Sequence, residues 1–246
     1  MTRKQPTLTG DTVVVMGGSR GIGFATARAV LHADANVVIA GRNQASLDDA
    51  IVQLRSPQLT GARVDGRCPD QVRSFFADLG SINHLVLAFG SDLSSAPFRD
   101  LTIRTWRRHF DDKFFAHLLV VQEALPSMRV NGSITLVTGA AARSPAAGAA
   151  LWAATDGALD AVIPTLALEL APLRVNAVSP GMVDTSWWDR VPSHNRRAIQ
   201  TAMATQLPVG RIGEPDDIGH AIRFLLENSY ITGTVLAVDG GIALAR

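Results

Sequence analysis

The sequence predicts an α/β fold, a doubly wound, seven-stranded parallel sheet with helices on both faces. Three observations predict it. Short β-branched runs alternate with stretches of helical period almost to the end of the chain. The 246 residues suit one large α/β domain, and 47% of them are apolar, ample for a sizeable core. A glycine-rich run follows the first strand and opens the first helix.

Each element has its own signal. Residues 12–17 are a β-branched run, read as a buried strand, and 21–33 as the helix after it. Strand two spans 36–40, and the polar amphipathic stretch 44–55 is a helix stopped by Pro57. Residues 62–65 make a short third strand. A helix over 69–79 begins with Pro69, where a missing N–H costs little. Strand four covers 84–89, a long helix lies in 101–128 and ends near Pro126, and strand five covers 133–138. The Ala- and Leu-rich stretch 148–170 is a long helix in which Pro164 predicts a kink or a break. Strand six is 174–178, a helix follows at 215–227, and strand seven is 235–238. Right-handed crossovers favour the strand order 3-2-1-4-5-6-7. Residues 184–211, with Trp187, Trp188, Pro192 and Pro208, break the rhythm. They read as a mobile lid with some helix, within a single domain spanning 1–246.

Composition excludes several classes. The 23 basic and 22 acidic residues nearly balance, so nothing argues for nucleic acid. No apolar run reaches the roughly 18 residues of a membrane span, and the polar start, with Pro6, lacks the apolar core of a signal peptide. Cys68 is the only cysteine, which is compatible with the cytoplasm. The six histidines are scattered with no pair at ligand spacing, so no metal site is expected.

The run Gly17-Gly18-Ser19-Arg20-Gly21-Ile22-Gly23 sits between a strand and a helix. Glycines there permit the tight turn, the backbone's approach to a pyrophosphate, and close packing of helix on strand. The helix N-terminus then faces phosphate with free N–H groups. With a second strand following, this reads as a Rossmann-type dinucleotide site. The end of strand two reads Ala40-Gly41-Arg42, with no carboxylate for ribose hydroxyls. Arg42 and Arg20 suit a 2′-phosphate, which points to NADP(H); the other reading is two solvated surface arginines.

These motifs resemble the short-chain dehydrogenase/reductase family over nearly the whole chain. Met16-Gly17-Gly18-Ser19-Arg20-Gly21-Ile22-Gly23 is similar to the family's T-G-x-x-x-G-I-G, with Met for Thr. Asp65 matches an aspartate that meets adenine. Gly90 is what remains of N-N-A-G in Leu87-Ala88-Phe89-Gly90. Arg174-Val175-Asn176-Ala177-Val178-Ser179-Pro180-Gly181 resembles the stretch before the nicotinamide. It leads to Val183 and Thr185, which the resemblance assigns to the carboxamide and a phosphate. Val238-Asp239-Gly240-Gly241 is similar to the C-terminal signature.

The resemblance fails at the catalytic positions. Trp152 stands where the family has its tyrosine acid, and Asp156 where it has lysine. Gly139 falls at the serine position, with Thr138 before it, and Lys113 at the asparagine position. An indole N–H has no useful acidity, and the only tyrosine, Tyr230, lies far along the chain. Asn has become Lys and Lys has become Asp, so Lys113 and Asp156 are expected to pair; two independent substitutions in an idle site are the alternative. Arg143 and His117 are further polar residues nearby by the same resemblance, with a structural role expected for His117.

Three functions follow. The first is an NADPH-dependent oxidoreductase with non-standard acid–base residues, acting on a carbonyl or imine-like small molecule. Asp156, Lys113, Arg143 or a water would manage the proton, and Asp156 would favour a cationic substrate. The second is a non-redox cyclase or isomerase with an aromatic pocket built from Trp152, Trp187 and Trp188. The third is an inactive NADP(H)-binding partner protein. Apolar coverage of 114–125 and 151–170 beyond what one sheet needs predicts a homo-oligomer, a dimer or tetramer. The family associates through these helices and through 235–246.

Overall fold

β1 (Thr12–Met16) is a run of valines between Thr and Met, and β-branched side chains fit a pleated strand covered on both faces. In the computed structural model, which describes residues 7–90, 96–185, 188 and 193–244, β1 lies near the middle of the sheet. It pairs in parallel with β2 (Asn36–Gly41) on one side and β4 (Ile82–Leu87) on the other. β3 (Leu59–Arg63), β5 (Met128–Val137), β6 (Arg174–Pro180) and β7 (Val235–Val238) complete the order 3-2-1-4-5-6-7, as the sequence predicts.

Successive side chains of each strand point to opposite faces, so the sheet divides two cores. Val13, Val15, Val37 and Ile39 pack with α1 (Gly21–Leu31) and α8 (Pro215–Glu227). Val14, Met16, Leu85, Leu87, Ile134 and Leu136 pack against α3 (Pro69–Leu79), α5 (Ala116–Ala124) and α6 (Ala150–Glu169). On composition alone α6, with 20 residues and a mean hydropathy of 1.2, is long and apolar enough to cross a bilayer. It lies instead on the sheet through Leu159, Ile163 and Ala167. α2 (Gln44–Leu54) is capped by the Asn43 side chain and ends with Arg55 in the left-handed region, before Pro57. α7 (Ser193–Ala204) lies within 184–211; Trp187 and Pro192, expected in the same segment, fall outside the described residues.

Three expectations are corrected. The third strand lies at Leu59–Arg63 rather than 62–65, because it takes its register from β2, with Leu59 opposite Val37 and Arg63 opposite Gly41. The stretch 101–128 is not one helix. α4 (Ile103–Phe110) runs into a π-helical turn at Asp111–Phe115, then α5, then a 3-10 turn at Leu125–Ser127 that accommodates Pro126. Met128 already belongs to β5, opposite Ile82. α6 runs unbroken through Pro164; burial of Leu159, Ile163 and Ala167 outweighs one missing backbone hydrogen bond.

All strands run the same way, so the turns after β1, β2, β4, β5 and β6 open on one edge of the sheet, where the functional groups gather. The opposite edge holds a buried polar cluster. His84 Nδ1 lies 2.8 Å from Ser133 Oγ, and its Nε2 lies 3.4 Å from Asp11. Burial pushes His84 down to about 4, against the pull of Asp11. Burial, helped by Lys113, pushes His117 on α5 down to about 3. Both folded values lie below the unfolded value near 6.5, so the unfolded chain binds more protons as pH falls. Stability present above pH 6.5 is therefore lost on acidification. Urea unfolding followed by circular dichroism is expected to show a loss of about 2 kcal/mol per histidine between pH 7 and pH 5. His84→Leu removes roughly half of that pH dependence; an unchanged slope in this variant refutes the assignment.

Candidate functional site

The β1–α1 turn is built by exclusion. Gly17 has φ +83°, and a Cβ there would meet the Ala88 carbonyl oxygen at 2.8 Å. A Cβ on Gly23 would overlap the Gly17 carbonyl, so the first turn of α1 lies directly on the strand end. A cleft of about 910 Å³ opens beside it. Of the sequence-predicted residues, Gly17, Ser19, Arg20, Gly21, Ile22, Arg42, Asp65, Gly90 and Thr185 line this cleft. Gly23 packs beneath it. Pro180 closes β6, Gly181 donates its N–H to the Val238 carbonyl at 3.1 Å, and the buried Val183 bridges to Gly213. None of these last three is part of the cleft wall.

The adenine-side aspartate is already engaged. Arg67 grips both carboxylate oxygens of Asp65, Nη2 to Oδ2 at 2.7 Å and Nε to Oδ1 at 3.0 Å. Hydrogen bonding from that guanidinium holds Asp65 below the usual carboxylate range. Arg67 also reaches Asp112 on the π-helical turn at 3.0 Å. Arg20 and Arg42 are exposed, Arg67 is partly so, and all three line the same end of the cleft.

Lys113, Thr138, Gly139, Trp152 and Asp156 are not part of the cleft wall. Beyond it, α6 and the π-helical turn bring Lys113 and Asp156 into direct contact, a short Nζ–Oδ1 ion pair. The Asp156 side chain is buried, 5% exposed, and that of Lys113 is mostly so, 12% exposed. Lys113 Nζ also lies 3.4 Å from the Thr138 carbonyl at the end of β5. Gly139 follows, and a Cβ there would overlap the Asp156 carboxylate. Trp152 is one helical turn before Asp156 and is partly buried. Trp188 is 1% exposed, its indole N–H donating to the Val183 carbonyl at 3.0 Å, so it packs beneath the surface instead of offering a face to a guest. Trp187 lies outside the described residues.

Sequence reading missed three residues, two of them in this cluster and one on the adenine side. Asp160, one turn beyond Asp156, accepts from Arg143 Nη1 at 2.9 Å. Its carboxyl is raised by burial, against the nearby Thr138 hydroxyl and the charge of Arg143. That hydroxyl points to the Val178 carbonyl, so Asp160 Oδ1 has no hydrogen-bond partner among the described residues. Its i,i+4 spacing from Asp156 is the signal that could have found it. His109, one turn before Lys113, is 0% exposed, and among the described residues neither ring nitrogen has a hydrogen-bond partner. Burial, then Lys113, pushes it down. The third is Arg67. His117 Nδ1–H donates to the Lys113 carbonyl, 2.7 Å away, and the ring packs at a tilt on Phe89 with ring centroids 4.3 Å apart.

The Gly139–Asp156 contact makes a testable demand. Gly139→Ser should lower stability by about 1–3 kcal/mol, as overpacking does. Combined with Asp156→Ala it should cost less than the sum of the single changes. Additive melting-temperature losses would show that the two positions do not exclude each other.

Comparison with known proteins places this geometry. The family described as enoyl-(acyl carrier protein) reductase matches residues 16–243. A short-chain dehydrogenase/reductase of Stachybotrys chlorohalonatus is 31% identical over 97% of this chain and 99% of its own. The MalC reductase/Diels-Alderase from Malbranchea aurantiaca superposes with a TM-score of 0.90 at 29% identity, covering 98% of this chain and 100% of that one. An NADPH-bound short chain oxidoreductase from Pseudomonas aeruginosa PAO1, described as containing an atypical catalytic center, superposes with a TM-score of 0.88 at 29% identity, over 94% and 96% of the two chains. With its strand order, its glycine turn and these matches along nearly its full length, the chain belongs to the short-chain dehydrogenase/reductase family.

Proposed function

We propose that this chain is an NADPH-dependent oxidoreductase whose acceptor needs no proton from the protein, an iminium or similarly activated small molecule. One observation carries the reading: the polar groups at the family's catalytic positions are spent on one another. Lys113 and Asp156 are joined and buried, Gly139 has no hydroxyl, and Trp152 is a donor without acidity. Among the described residues, no side chain at those positions offers an accessible acid to a developing alkoxide. The sole tyrosine, Tyr230, is 98% exposed and lies in the approach to β7.

The glycine turn and the cleft beside α1 fit a dinucleotide. Gly17, Ser19, Gly21 and Ile22 would hold its pyrophosphate, and Arg20 and Arg42 a 2′-phosphate. The NADPH-bound relative supports that choice of cofactor. Bound NADPH supplies a hydride. An iminium carbon that receives it becomes a neutral amine, so charge balances with no proton taken from a side chain. Asp156, 4% exposed, does not meet the acceptor itself; it acts by holding Lys113 beside the Thr138 carbonyl. A second reading, cyclisation in the same pocket, is favoured by the MalC relative, described as both reductase and Diels-Alderase.

The test is NADPH oxidation against a cyclic iminium salt and the ketone of matching shape. A positioned acid contributes about 10²–10⁴-fold, so the ketone should turn over at least ~100-fold more slowly. A ketone reduced as fast as the iminium refutes the proposal, and turnover without NADPH consumption moves the assignment to the cyclase. Trp152→Tyr with Asp156→Lys is expected not to create an efficient ketone reductase. The new ammonium would face Lys113, and like charges disfavour each other.

Cofactor titrations are expected to favour NADPH over NADH by at least about tenfold, near the lower end for a charge-assisted phosphate contact. Arg42→Ala should narrow that ratio; equal affinities in the unaltered protein overturn the choice of NADP(H). The same reading takes the chain as a homo-oligomer, supported by Leu168, 81% exposed on α6, and Phe115, 55% exposed beside α5. Light scattering at micromolar concentration should give a dimeric or tetrameric mass.

A further inference from the structure

Between β5 and α6 the chain reads Ala140-Ala141-Ala142-Arg143-Ser144-Pro145-Ala146-Ala147-Gly148-Ala149. This segment joins Gly139 to Trp152, and on the function proposed above it is taken as a wall of the acceptor side of the site. Its composition is unusual for a wall. No side chain in it is larger than proline except Arg143, and Pro145, Ala146 and Ala147 are exposed. Fixing a segment costs conformational entropy at every residue. Ala140 and Ala149 are buried at the two ends, but the methyl groups of the exposed middle bury too little apolar area to repay that cost.

Local turns shape the segment without tying it down. Ala140–Ala142 is a single 3-10 turn, and the Ser144 N–H returns to the Ala140 carbonyl at 2.7 Å. Its described tertiary hydrogen bonds are few. Ser144 Oγ reaches the Ile242 carbonyl at 3.5 Å, and the Ala96 N–H reaches the Gly148 carbonyl at 3.3 Å. Both are long for such bonds. Arg143 to Asp160 is different, at 2.9 Å and charge-assisted. Asp160 stands on α6, which the sheet holds rigidly, and its side chain is 15% exposed.

We propose that the Arg143–Asp160 pair is the anchor that holds 140–149 against α6, which makes Asp160 a positioning residue for the acceptor side of the site. Asp160 is no accident of surface charge. Burial works against its ionised form, while Arg143 and Thr138 work for it. Of these two only Arg143 belongs to the segment, so its contact both favours the charged carboxylate and holds the wall. Asp156 and Lys113, the other charged groups facing it, are already committed to each other.

The experiment is hydrogen–deuterium exchange of the full-length protein at constant pH, resolved to the amides of 141–149. Asp160→Asn and Arg143→Ala should each raise exchange there about tenfold, the loss of one charge-assisted hydrogen bond. The double variant should exchange no faster than either single one, because both remove the same contact. Asp160→Glu, which keeps the charge, should retain most of the protection. Unchanged exchange in either single variant, additive effects in the double, or protection lost equally across β5 and α6 would overturn the proposal. Arg143 lies at the surface, so its variant is expected to fold even if Asp160→Asn does not. A second readout uses NADPH and a cyclic iminium salt, with KM expected to rise while kcat holds. That readout rests on the function proposed above, whereas the exchange measurement does not, so the two readings fail separately.

Discussion

An ammonium and a carboxylate buried together cannot be altered one at a time. Removing either member of a buried pair leaves an unpaired charge, at a cost of about 3–5 kcal/mol. Lys113 and Asp156 are such a pair, and the surrounding arrangement follows from it. Gly139 must be glycine because the Asp156 carboxylate fills the place of a Cβ. The Thr138 carbonyl turns to the ammonium, and His109 beside it is pushed toward its neutral form by burial and by that positive charge. One ionic contact thus explains three of the four departures from the family pattern, at positions 113, 139 and 156. The fourth, Trp152, is not demanded by the pair.

The sheet makes this contact possible. Lys113 belongs to a π-helical turn and Asp156 to α6, 43 residues apart in sequence. They meet because α5 and α6 cover the same face, through Val120, Val121 and Ala124 on one and Leu159, Ile163 and Ala167 on the other. A π-helical turn carries one residue more than an α-helical one, and such turns gather at functional sites. Here the extra residue lets neighbours serve opposite ends of the site. Asp112 faces Arg67 at the adenine-side loop, and Lys113 faces Asp156.

The fold was legible because its signals are local and repeat. Valine-rich strands, a glycine turn and Pro69 at a helix start each speak within a few residues, and the helix from Pro69 to Leu79 falls where the sequence puts it. What escaped depends on partners distant in sequence. β3 is displaced because its register comes from β2. The π-helical turn has no periodic signature of its own. In the site, the pairing of Lys113 with Asp156 was readable as a swap of charge between two positions. Asp160 had only its i,i+4 spacing from Asp156 to mark it, and Arg67 had no mark, because each is defined by what it touches: Arg143 in one case, Asp65 and Asp112 in the other.

The same distinction separates an altered site from a decayed one. Drift would remove functional side chains independently and leave any residual charge to water or to a shifted protonation state. Here an ammonium has moved from one helix to the other, a carboxylate has replaced it, and the residue that would collide with the carboxylate has lost its side chain. These three residues fit one another sterically and in charge, so they form one arrangement. The glycine turn and arginine-lined cleft of the cofactor side stand beside it with their geometry intact. A dinucleotide cradle beside acid–base positions closed into an ion pair is the arrangement on which the proposed choice of a cationic acceptor rests.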